Sequence, residues 1–305
     1  MVNKGNFGQV SKYNQIRNIE WPNNADFAVC LTHDVDRVKK TYQYFTHSIK
    51  RRSLKPFLTF FDEKEPYWQF DTIMNLEKKH DVRSTFFFLN ESQRFRLLSR
   101  SSWVESLGRY NIQSLAVKTI IRKLDAGGWE IALHGSINSF DNISLLGKEK
   151  FFLEAIVGHS IKGIRQHWLN LDIPKTWQMH KDLGLVYDTS FGKKYKVGFK
   201  NVICHPFRPF KDAFMVFPLA IMDSFLFENP FEPGRALEKM KKIIKIAMNA
   251  GGLLTVLWHQ SVFSEKDFPG YSKFYEILIE ECITRNAWFG TCSEVYDHIA
   301  GEISR

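Results

Sequence analysis

Two aspartates, Asp34 and Asp36, follow a short apolar run and stand two residues apart. In an extended chain, side chains at this spacing point to the same side, so the two carboxylates share a face. Carboxylates on one face repel each other, and burying either is costly, unless a cation or a proton lies nearby. The pattern indicates a metal site or an acid and base pair. The alternative, equally weighted on this motif alone, is that one aspartate caps a helix beginning near Arg37.

A histidine follows another apolar run, 129–133, in the sequence His134-Gly135-Ser136-Ile137-Asn138. Gly135 would allow the backbone to approach a ligand closely. If the loop turns helically, His134 and Asn138 could reach the same ion, because they are four residues apart. A single histidine at a strand end is more often structural, but the aspartates at the first strand end favour a shared metal site.

Further polar residues end or follow apolar runs in the second half of the chain. Arg165 and His167 alternate along one predicted strand and so share a face, on which a buried arginine needs an anion. Asp34 is a candidate for that anion. His259 follows the run 253–258 and adds a side chain able to donate or accept a proton. Because these residues all lie at strand ends, we expect them at one rim of the fold.

Short apolar runs alternate with amphipathic stretches about seven times, which is typical of a continuous α/β domain. Right-handed crossovers of such units form an open sheet or a barrel, and both bind ligands beyond the carboxyl ends of the strands. We predict one domain over 1–305, with residues 1–25 as an N-terminal extension. The predicted strands are 27–31, 84–89, 129–133, 163–169, 214–221, 253–259 and 288–292, and the predicted helices are 67–79, 115–125, 148–156, 174–183, 234–250 and 271–285.

Five blocks, in the same order, resemble the polysaccharide deacetylases of carbohydrate esterase family 4. They are Thr32-His33-Asp34-Val35-Asp36, His134-Gly135-Ser136-Ile137-Asn138, the segment around Arg165, Tyr187-Asp188-Thr189-Ser190 and Leu257-Trp258-His259. Each block alone is weak, and the shared order along the chain carries the resemblance. It implies a distorted (β/α) barrel of about seven parallel strands. It also implies one divalent metal ion, usually zinc (Zn2+), with cobalt, manganese or nickel as alternatives.

The catalytic roles follow from this resemblance. Asp34 would act as the base and His259 as the acid, while Arg165 would orient the first and Asp223 the second. In that scheme the metal polarises a water molecule and the acyl carbonyl. Asp34 takes a proton from the water, and His259 protonates the departing amine. The reaction would be the hydrolysis of an N-acyl bond on a sugar.

The resemblance also implies contacts with the metal and the substrate. Asp36 and His134 would bind the ion, and Asn138 stands where the family has a second metal-binding histidine. An amide oxygen ligates divalent ions, although less strongly than imidazole, so Asn138 is the predicted third ligand. Substrate contacts are predicted for Asp188, His167 and Trp258.

Charge and cysteine content limit the other function classes. The 42 Lys and Arg residues against 33 Asp and Glu produce a net charge of +9, partly from the runs 37–55 and 235–245. The second run has apolar residues at helical spacing, which favours a surface helix over a membrane-docking one. No nucleic-acid-binding motif accompanies the charge, so we expect no nucleic-acid partner. Four separated cysteines without a Cys-x-x-Cys pair indicate reduced thiols.

The predicted function is that of a metal-dependent carbohydrate deacetylase of surface-polysaccharide biosynthesis. The N-terminal residues contain no apolar signal segment, and no run approaches the roughly 18 apolar residues of a spanning helix, so we expect a cytoplasmic protein. The substrate would then be an amino-sugar glycan, a nucleotide-linked sugar or a lipid-linked sugar. The segment 198–207 is equally consistent with groove lining and with a structural loop. Alternatives are a C–N hydrolase acting on formamides or cyclic amides, and a glycan-binding relative without activity.

Overall fold

The structure is a computed structural model that describes residues 14–92, 106–227 and 232–303. Its strands are β1 (Asn14–Gln15), β2 (Phe27–Val35), β3 (Thr85–Leu89), β4 (Glu130–Gly135), β5 (Gly163–Gln166), β6 (Tyr187–Asp188), β7 (Phe207–Arg208), β8 (Met215–Val216), β9 (Leu219–Met222), β10 (Leu253–Leu257) and β11 (Ala287–Phe289). Its α-helices are α1 (Gln43–Arg51), α2 (Lys55–Leu58), α3 (Phe70–Lys79), α4 (Leu115–Ala126), α5 (Ile143–Val157), α6 (Lys175–Asp182), α7 (Asp223–Leu226), α8 (Pro233–Ala250), α9 (Tyr271–Ile283) and α10 (Cys292–Ile303).

Seven of these strands form a distorted barrel. Parallel pairing runs in the order β6, β5, β4, β3, β2, β10 and β9. A parallel bridge between Gly192, just after β6, and Leu219 in β9 closes the ring. Across this seam the N–H of Leu219 donates to the carbonyl of Phe191 over 2.9 Å. This arrangement confirms the predicted distorted (β/α) barrel of about seven parallel strands.

A small antiparallel extension lies beside β6. The predicted strand 214–221 is divided at Pro218, so that β8 pairs with β6 and β7 while β9 pairs with β10. Proline has no N–H to donate to a strand ladder, which explains the break. β1 pairs antiparallel with β7, so part of the predicted N-terminal extension joins this sheet.

The predicted helices are present with shifted ends. Helix α5 begins at Ile143, earlier than predicted, because the Asn142 side chain accepts a hydrogen bond from Leu145 N–H at 3.0 Å and caps it. It ends where Gly158 adopts a φ of 84°, a conformation that glycine allows without strain. Helix α1 is not among the predicted helices. Its large apolar residues Phe45 and Ile49 are exposed, so it does not have the core-facing apolar stripe that is typical of a surface helix.

Alternation along the strands separates the outside of the barrel from its inside. In β2, Val29 and Leu31 belong to the large core between the sheet and the surrounding helices. Ala28 and Cys30 belong to a second cluster, which joins residues of β3, β4, β6 and β10 to α10. Side chains of strands on opposite sides of a closed sheet meet only in its interior, so this second cluster fills the barrel. Asp34 and Asp36 continue the inward-facing series.

Helix α8 contains the basic run 235–245 and packs on the outside of the barrel. Its buried residues are Ala236, Met240, Ile243, Ile244 and Ala247. The apolar stripe of this helix is therefore used within the fold. Among the described residues, no helix has both the length and the apolar character needed to cross a membrane.

Candidate active site

The carboxyl ends of β2, β4, β5 and β10 surround one cavity of about 360 Å³. Its lining includes five of the predicted site residues, Asp34, Asp36, His134, His167 and His259. Parallel strands direct their carboxyl ends to the same rim, which is why residues up to 225 positions apart in sequence meet there. The size is that of a pocket for a small ligand or a sugar unit.

Asp34 is held by Arg165 inside the barrel. The Arg165 Nη1 donates to Asp34 Oδ1 over 2.7 Å and to Thr32 Oγ1 over 2.8 Å. The guanidinium is fully buried and lies over the Phe87 ring, 4.4 Å from its centroid. Burial of this arginine is compensated by the ion pair and the ring, and the pair fixes the direction of the Asp34 carboxylate. The pairing suggested by the sequence is therefore present in the structure.

His134 turns one ring nitrogen toward the backbone and the other toward the two carboxylates. Its Nδ1 lies 2.8 Å from the carbonyl oxygen of Arg165, which only accepts, so Nδ1 donates. Its Nε2 is 3.2 Å from Asp36 Oδ1 and 3.6 Å from Asp34 Oδ2. A histidine whose Nδ1–H is held by a carbonyl presents Nε2 to a ligand.

His167 completes a group of possible metal ligands. Its Nε2 lies 3.7 Å from Asp36 Oδ1, and its ring centroid is 5.2 Å from that of His134. One potential donor atom from each of Asp36, His134 and His167 lies within 4.8 Å of the others. Asp36 Oδ1 is buried and forms no hydrogen bond with the described residues. A carboxylate and two imidazoles on one side of a cavity are a donor set that divalent transition metals bind.

His259 and Asp223 form a second pair at the rim. His259 Nδ1 lies 2.8 Å from Asp223 Oδ1, and the backbone N–H of His259 donates to Asp223 Oδ2 over 2.7 Å. The other ring nitrogen, Nε2, faces the cavity at 3.7 Å from Asp36 Oδ2. The Asp223 carboxylate therefore fixes the ring and directs Nε2 toward the centre of the site.

Burial and neighbouring charges separate the pKa values of these groups. Burial lowers the pKa of His167 to about 4, with the neighbouring His134 and His259 adding to this effect and Asp36 and Asp34 opposing it. Burial alone would lower the pKa of His259, but the adjacent Asp223 and the more distant Asp36 raise it to about 10. Burial likewise opposes ionisation of Asp36, yet His167, His134 and His259 hold its pKa well below the usual range. At neutral pH His167 is neutral and His259 is protonated.

The pKa of His134 is raised, although burial alone would lower it, because Asp34 and Asp36 favour its charged form. The same two carboxylates create a negative field at Nε2. Such a field attracts a proton or a metal cation to one place, and the two compete for the same nitrogen.

Three predicted site residues lie away from the cavity. The Asn138 side chain is exposed and does not line it. Asp188 is fully buried and accepts hydrogen bonds from Ser190 N–H at 2.8 Å and Ser190 Oγ at 2.7 Å. Trp258 is fully buried in the core outside the barrel, with its ring 5.4 Å from that of Phe227. In an extended strand, neighbours point in opposite directions, so a cavity-facing His259 requires Trp258 to face outward.

The cavity rim contains residues that the sequence does not single out. Trp168 and Tyr195 line the cavity and are 54% and 71% exposed, so large ring surfaces border the opening. Lys194 lines it as well. In contrast, Phe199, Cys204, His205 and Phe207 of the segment 198–207 are buried, and this segment does not line the cavity. In the sequence, Trp168 follows His167 and Tyr195 follows Lys194, but the same pattern also holds for the buried Trp258 beside His259, so adjacency alone does not identify the rim residues.

Neither a protein-family model nor a curated protein matches the sequence. Among solved structures, the chain resembles a polysaccharide deacetylase from Mycobacterium smegmatis with a TM-score of 0.63 at 16% identity, covering 95% of this chain and 96% of that one. It also resembles a polysaccharide deacetylase from Pseudomonas aeruginosa PAO1 with a TM-score of 0.59 at 12% identity, covering 92% of each chain. The chain therefore has the polysaccharide-deacetylase fold, as the ordered sequence blocks predict.

Proposed function

We propose that this protein is a metal-dependent hydrolase that removes an N-acyl group, in the first instance acetyl, from an amino sugar used in surface-polysaccharide biosynthesis. One observation carries the proposal: an oriented carboxylate, a three-residue donor set and a protonated histidine face the same cavity. Asp34 is the carboxylate and His259 is the histidine. The donor set is Asp36, His134 and His167. Hydrolysis of an amide needs a base, an electrophilic centre and an acid, and the cavity brings one of each together.

Asp36, His134 and His167 fit a divalent ion and are the residues that would hold it. In this proposal His167 is the third ligand in place of Asn138. The assignment of Asn138 as a ligand stays an untested prediction. Zinc suits a site with two imidazoles and one carboxylate, with cobalt, manganese and nickel as alternatives. When bound, such an ion supplies Lewis-acid polarisation of the acyl carbonyl and acidifies water at the site.

Asp34 is the base in this proposal. Its Oδ1 is held by Arg165 at 2.7 Å, while Oδ2 lies toward His134 and the cavity. The arginine keeps the carboxylate in one direction, so that a free oxygen faces a water molecule approaching the acyl carbon. Asp34 accepts the proton of that water as its oxygen bonds to the acyl carbon.

His259 is the acid. Its Nδ1 is fixed by Asp223, and its Nε2 faces the cavity. With a pKa raised to about 10, chiefly by Asp223 against the effect of burial, the ring is protonated at neutral pH. Nε2–H donates its proton to the amine nitrogen as the C–N bond breaks, which releases a neutral amine and leaves the acyl group as a carboxylic acid.

The rim favours a sugar as substrate. Trp168 and Tyr195 offer exposed ring faces at the opening, and Lys194 adds a positive charge. Aromatic faces stack on the apolar faces of sugar rings, and a lysine can pair with a phosphate. These features fit a nucleotide-linked or lipid-linked amino sugar, both of which carry phosphate.

The test is a product assay on a panel of N-acetylated and N-formylated amino sugars, free and phosphate-linked, after the metal content of the purified protein has been determined. The proposal predicts acetate and a free amine in equal amounts, with about one divalent ion per chain. Formate release alone would instead identify a different C–N hydrolase. A protein that binds the panel without stoichiometric metal and without any release would be a glycan-binding relative, and the proposal would be rejected.

A further inference from the structure

The segment 43–61 forms a helical hairpin from α1, α2 and the 3-10 turn Thr59–Phe61. Six large apolar side chains on this hairpin are each more than half exposed, namely Phe45, Ile49, Leu54, Leu58, Phe60 and Phe61. Over the described residues, 17 large apolar side chains are exposed, and these six fall within 17 consecutive positions. Single exposed apolar residues are normal on a protein surface, but a cluster of this kind marks an interaction site.

The exposed rings form a continuous surface. Phe57 joins two of them, with centroid distances of 5.4 Å to Phe45 and 6.3 Å to Phe61. Phe60 lies 5.5 Å from Phe61 and 5.4 Å from Tyr44. The rings therefore present one apolar face, which an apolar environment could cover.

The hairpin is anchored to the rest of the protein by a buried lysine. Lys40 Nζ donates to Pro56 O and Thr59 Oγ1, both over 2.8 Å, and to Asp267 Oδ1 over 2.6 Å. Both members of the Lys40 and Asp267 ion pair are fully buried. Asp267 follows β10, so the hairpin is tied to the barrel by its inner side, and its outer rings are held in place.

Positive charge is concentrated in the same part of the chain. Residues 37–61 contain seven Lys and Arg residues and no Asp or Glu, and the rest of the chain is nearly balanced, with 35 basic against 33 acidic residues. One of the seven, Lys40, is neutralised by Asp267, which leaves six. Arg52 and Lys55 lie within the hairpin and Lys39 shortly before it, and all three are exposed. An apolar face bordered by basic side chains fits a membrane interface with anionic lipids, where the rings enter the acyl boundary and the cations meet headgroups.

We infer that the 43–61 hairpin docks this protein on the surface of an anionic lipid bilayer. The hairpin begins at the edge of the catalytic cavity, because Arg37 lines the cavity and stacks on Tyr42, 5.2 Å from its ring centroid. Docking would hold that edge near lipid headgroups. The further step, that the substrate is a lipid-linked amino sugar, rests on the proposed function. Bilayer binding itself does not.

Co-sedimentation of the full chain with vesicles tests the inference without any turnover. The probes are phosphatidylcholine vesicles with about one third phosphatidylglycerol, and pure phosphatidylcholine vesicles. The protein is expected to bind the anionic vesicles at least about tenfold more tightly than the neutral ones, since each basic residue near the surface adds to binding. Equal absence of binding to both would overturn the inference.

Two double variants remove the proposed contacts, and two others are matched controls. Phe60→Ser with Phe61→Ser, and Arg52→Glu with Lys55→Glu, should each weaken anionic-vesicle binding at least about tenfold with unchanged thermal unfolding. The controls are Phe151→Ser with Phe152→Ser on α5, and Lys242→Glu with Lys245→Glu on α8. These four side chains are also exposed.

Binding that depends on the α5 or α8 residues as strongly as on the hairpin would reject the hairpin as the docking surface. A second copy of the chain and an acidic protein are the competing occupants of the apolar face. If sedimentation equilibrium shows a dimer that the Phe60→Ser and Phe61→Ser variant dissociates, while vesicle binding is unaffected, the occupant is a second copy and the inference fails.

Discussion

His33 and Asp34 are neighbours in β2, but their side chains enter two buried polar clusters of different character. The closed network lies outside the barrel and consists of His33, Glu77, Ser84, Trp129 and Tyr275. Glu77 Oε1 is 2.9 Å from His33 Nε2 and accepts from Tyr275 OH over 2.7 Å. Glu77 Oε2 accepts from Ser84 Oγ over 2.9 Å and from Trp129 Nε1 over 2.6 Å.

The open cluster lies inside the barrel mouth and consists of Asp34, Asp36, His134, His167 and His259. Here Asp36 Oδ1 and the neighbouring Arg165 Nη2 are buried without a hydrogen bond among the described residues. Buried polar atoms normally have hydrogen-bond partners, so this difference indicates that the two clusters have different roles. The closed network satisfies its own carboxylate and serves stability, whereas the open cluster keeps polar atoms directed at a cavity, as the proposed binding and catalysis require.

The largest effect is expected from Asp34→Asn in the open cluster. An amide cannot accept the proton of water, so deacetylation should fall by about 100-fold to 10,000-fold. The amide oxygen can still accept from Arg165, and the metal donors are unchanged, so the metal content should stay near one ion per chain. Amine release and elemental analysis measure the two quantities on the same sample. Full activity in this variant would show that Asp34 is not the base.

Metal binding distinguishes the two candidates for the third ligand. His167→Ala should weaken zinc binding by more than about 100-fold, because loss of a direct ligand exceeds the effect of losing an outer partner. Asn138→Ala, on the exposed loop residue, should leave the affinity within about twofold. Competition titration with a chromophoric chelator measures both without reference to activity. The reverse order of effects would restore Asn138 as the ligand and leave His167 as a substrate contact.

Stability should distinguish the closed network from the open cluster. Glu77→Gln places an amide nitrogen among buried donors and should lower the free energy of unfolding by about 3 kcal/mol. His167→Ala in metal-free protein should change it by less than about 1 kcal/mol, because the cavity already contains space around the ring. Urea denaturation of both variants provides the comparison. Similar losses would show that the open cluster also stabilises the fold.

The last prediction concerns pH. The pKa of His259 is raised from 6.5 to about 10, with Asp223 overcoming the opposing effect of burial. A raised folded-state pKa means that the stabilisation from this pair is complete below pH 6.5 and is lost as pH rises toward 10.

Asp223→Asn should therefore lower the pKa of His259 and flatten the decline in unfolding free energy across this pH range. Histidine ring signals in an NMR titration of metal-free protein report the pKa, and urea denaturation at several pH values reports the slope. An unchanged slope would show that Asp36 and Asp34, not Asp223, control the ring.

Local pattern in the sequence determines much of this protein. Apolar runs that end in Asp34, Asp36, His134 and His259 predict parallel strands with polar residues at one rim, because side-chain alternation is local and short continuous apolar runs are typical of buried parallel strands. The barrel, as distinct from an open sheet, is predicted only through the family resemblance that the order of these blocks carries. The same alternation could have shown that Trp258 faces away from the cavity, since its neighbour His259 faces into it.

The tertiary structure decides which residues meet within a few ångströms. The loop after β4 exposes Asn138, so spacing along a presumed helical turn does not bring it to the candidate ligands Asp36, His134 and His167. The chain after β5 turns at Trp168, whose φ is 58°, and leaves His167 beside Asp36 and His134. Whether a donor reaches a shared ion depends on the curvature of the closed sheet and on loop conformation, both of which are set by contacts between distant segments.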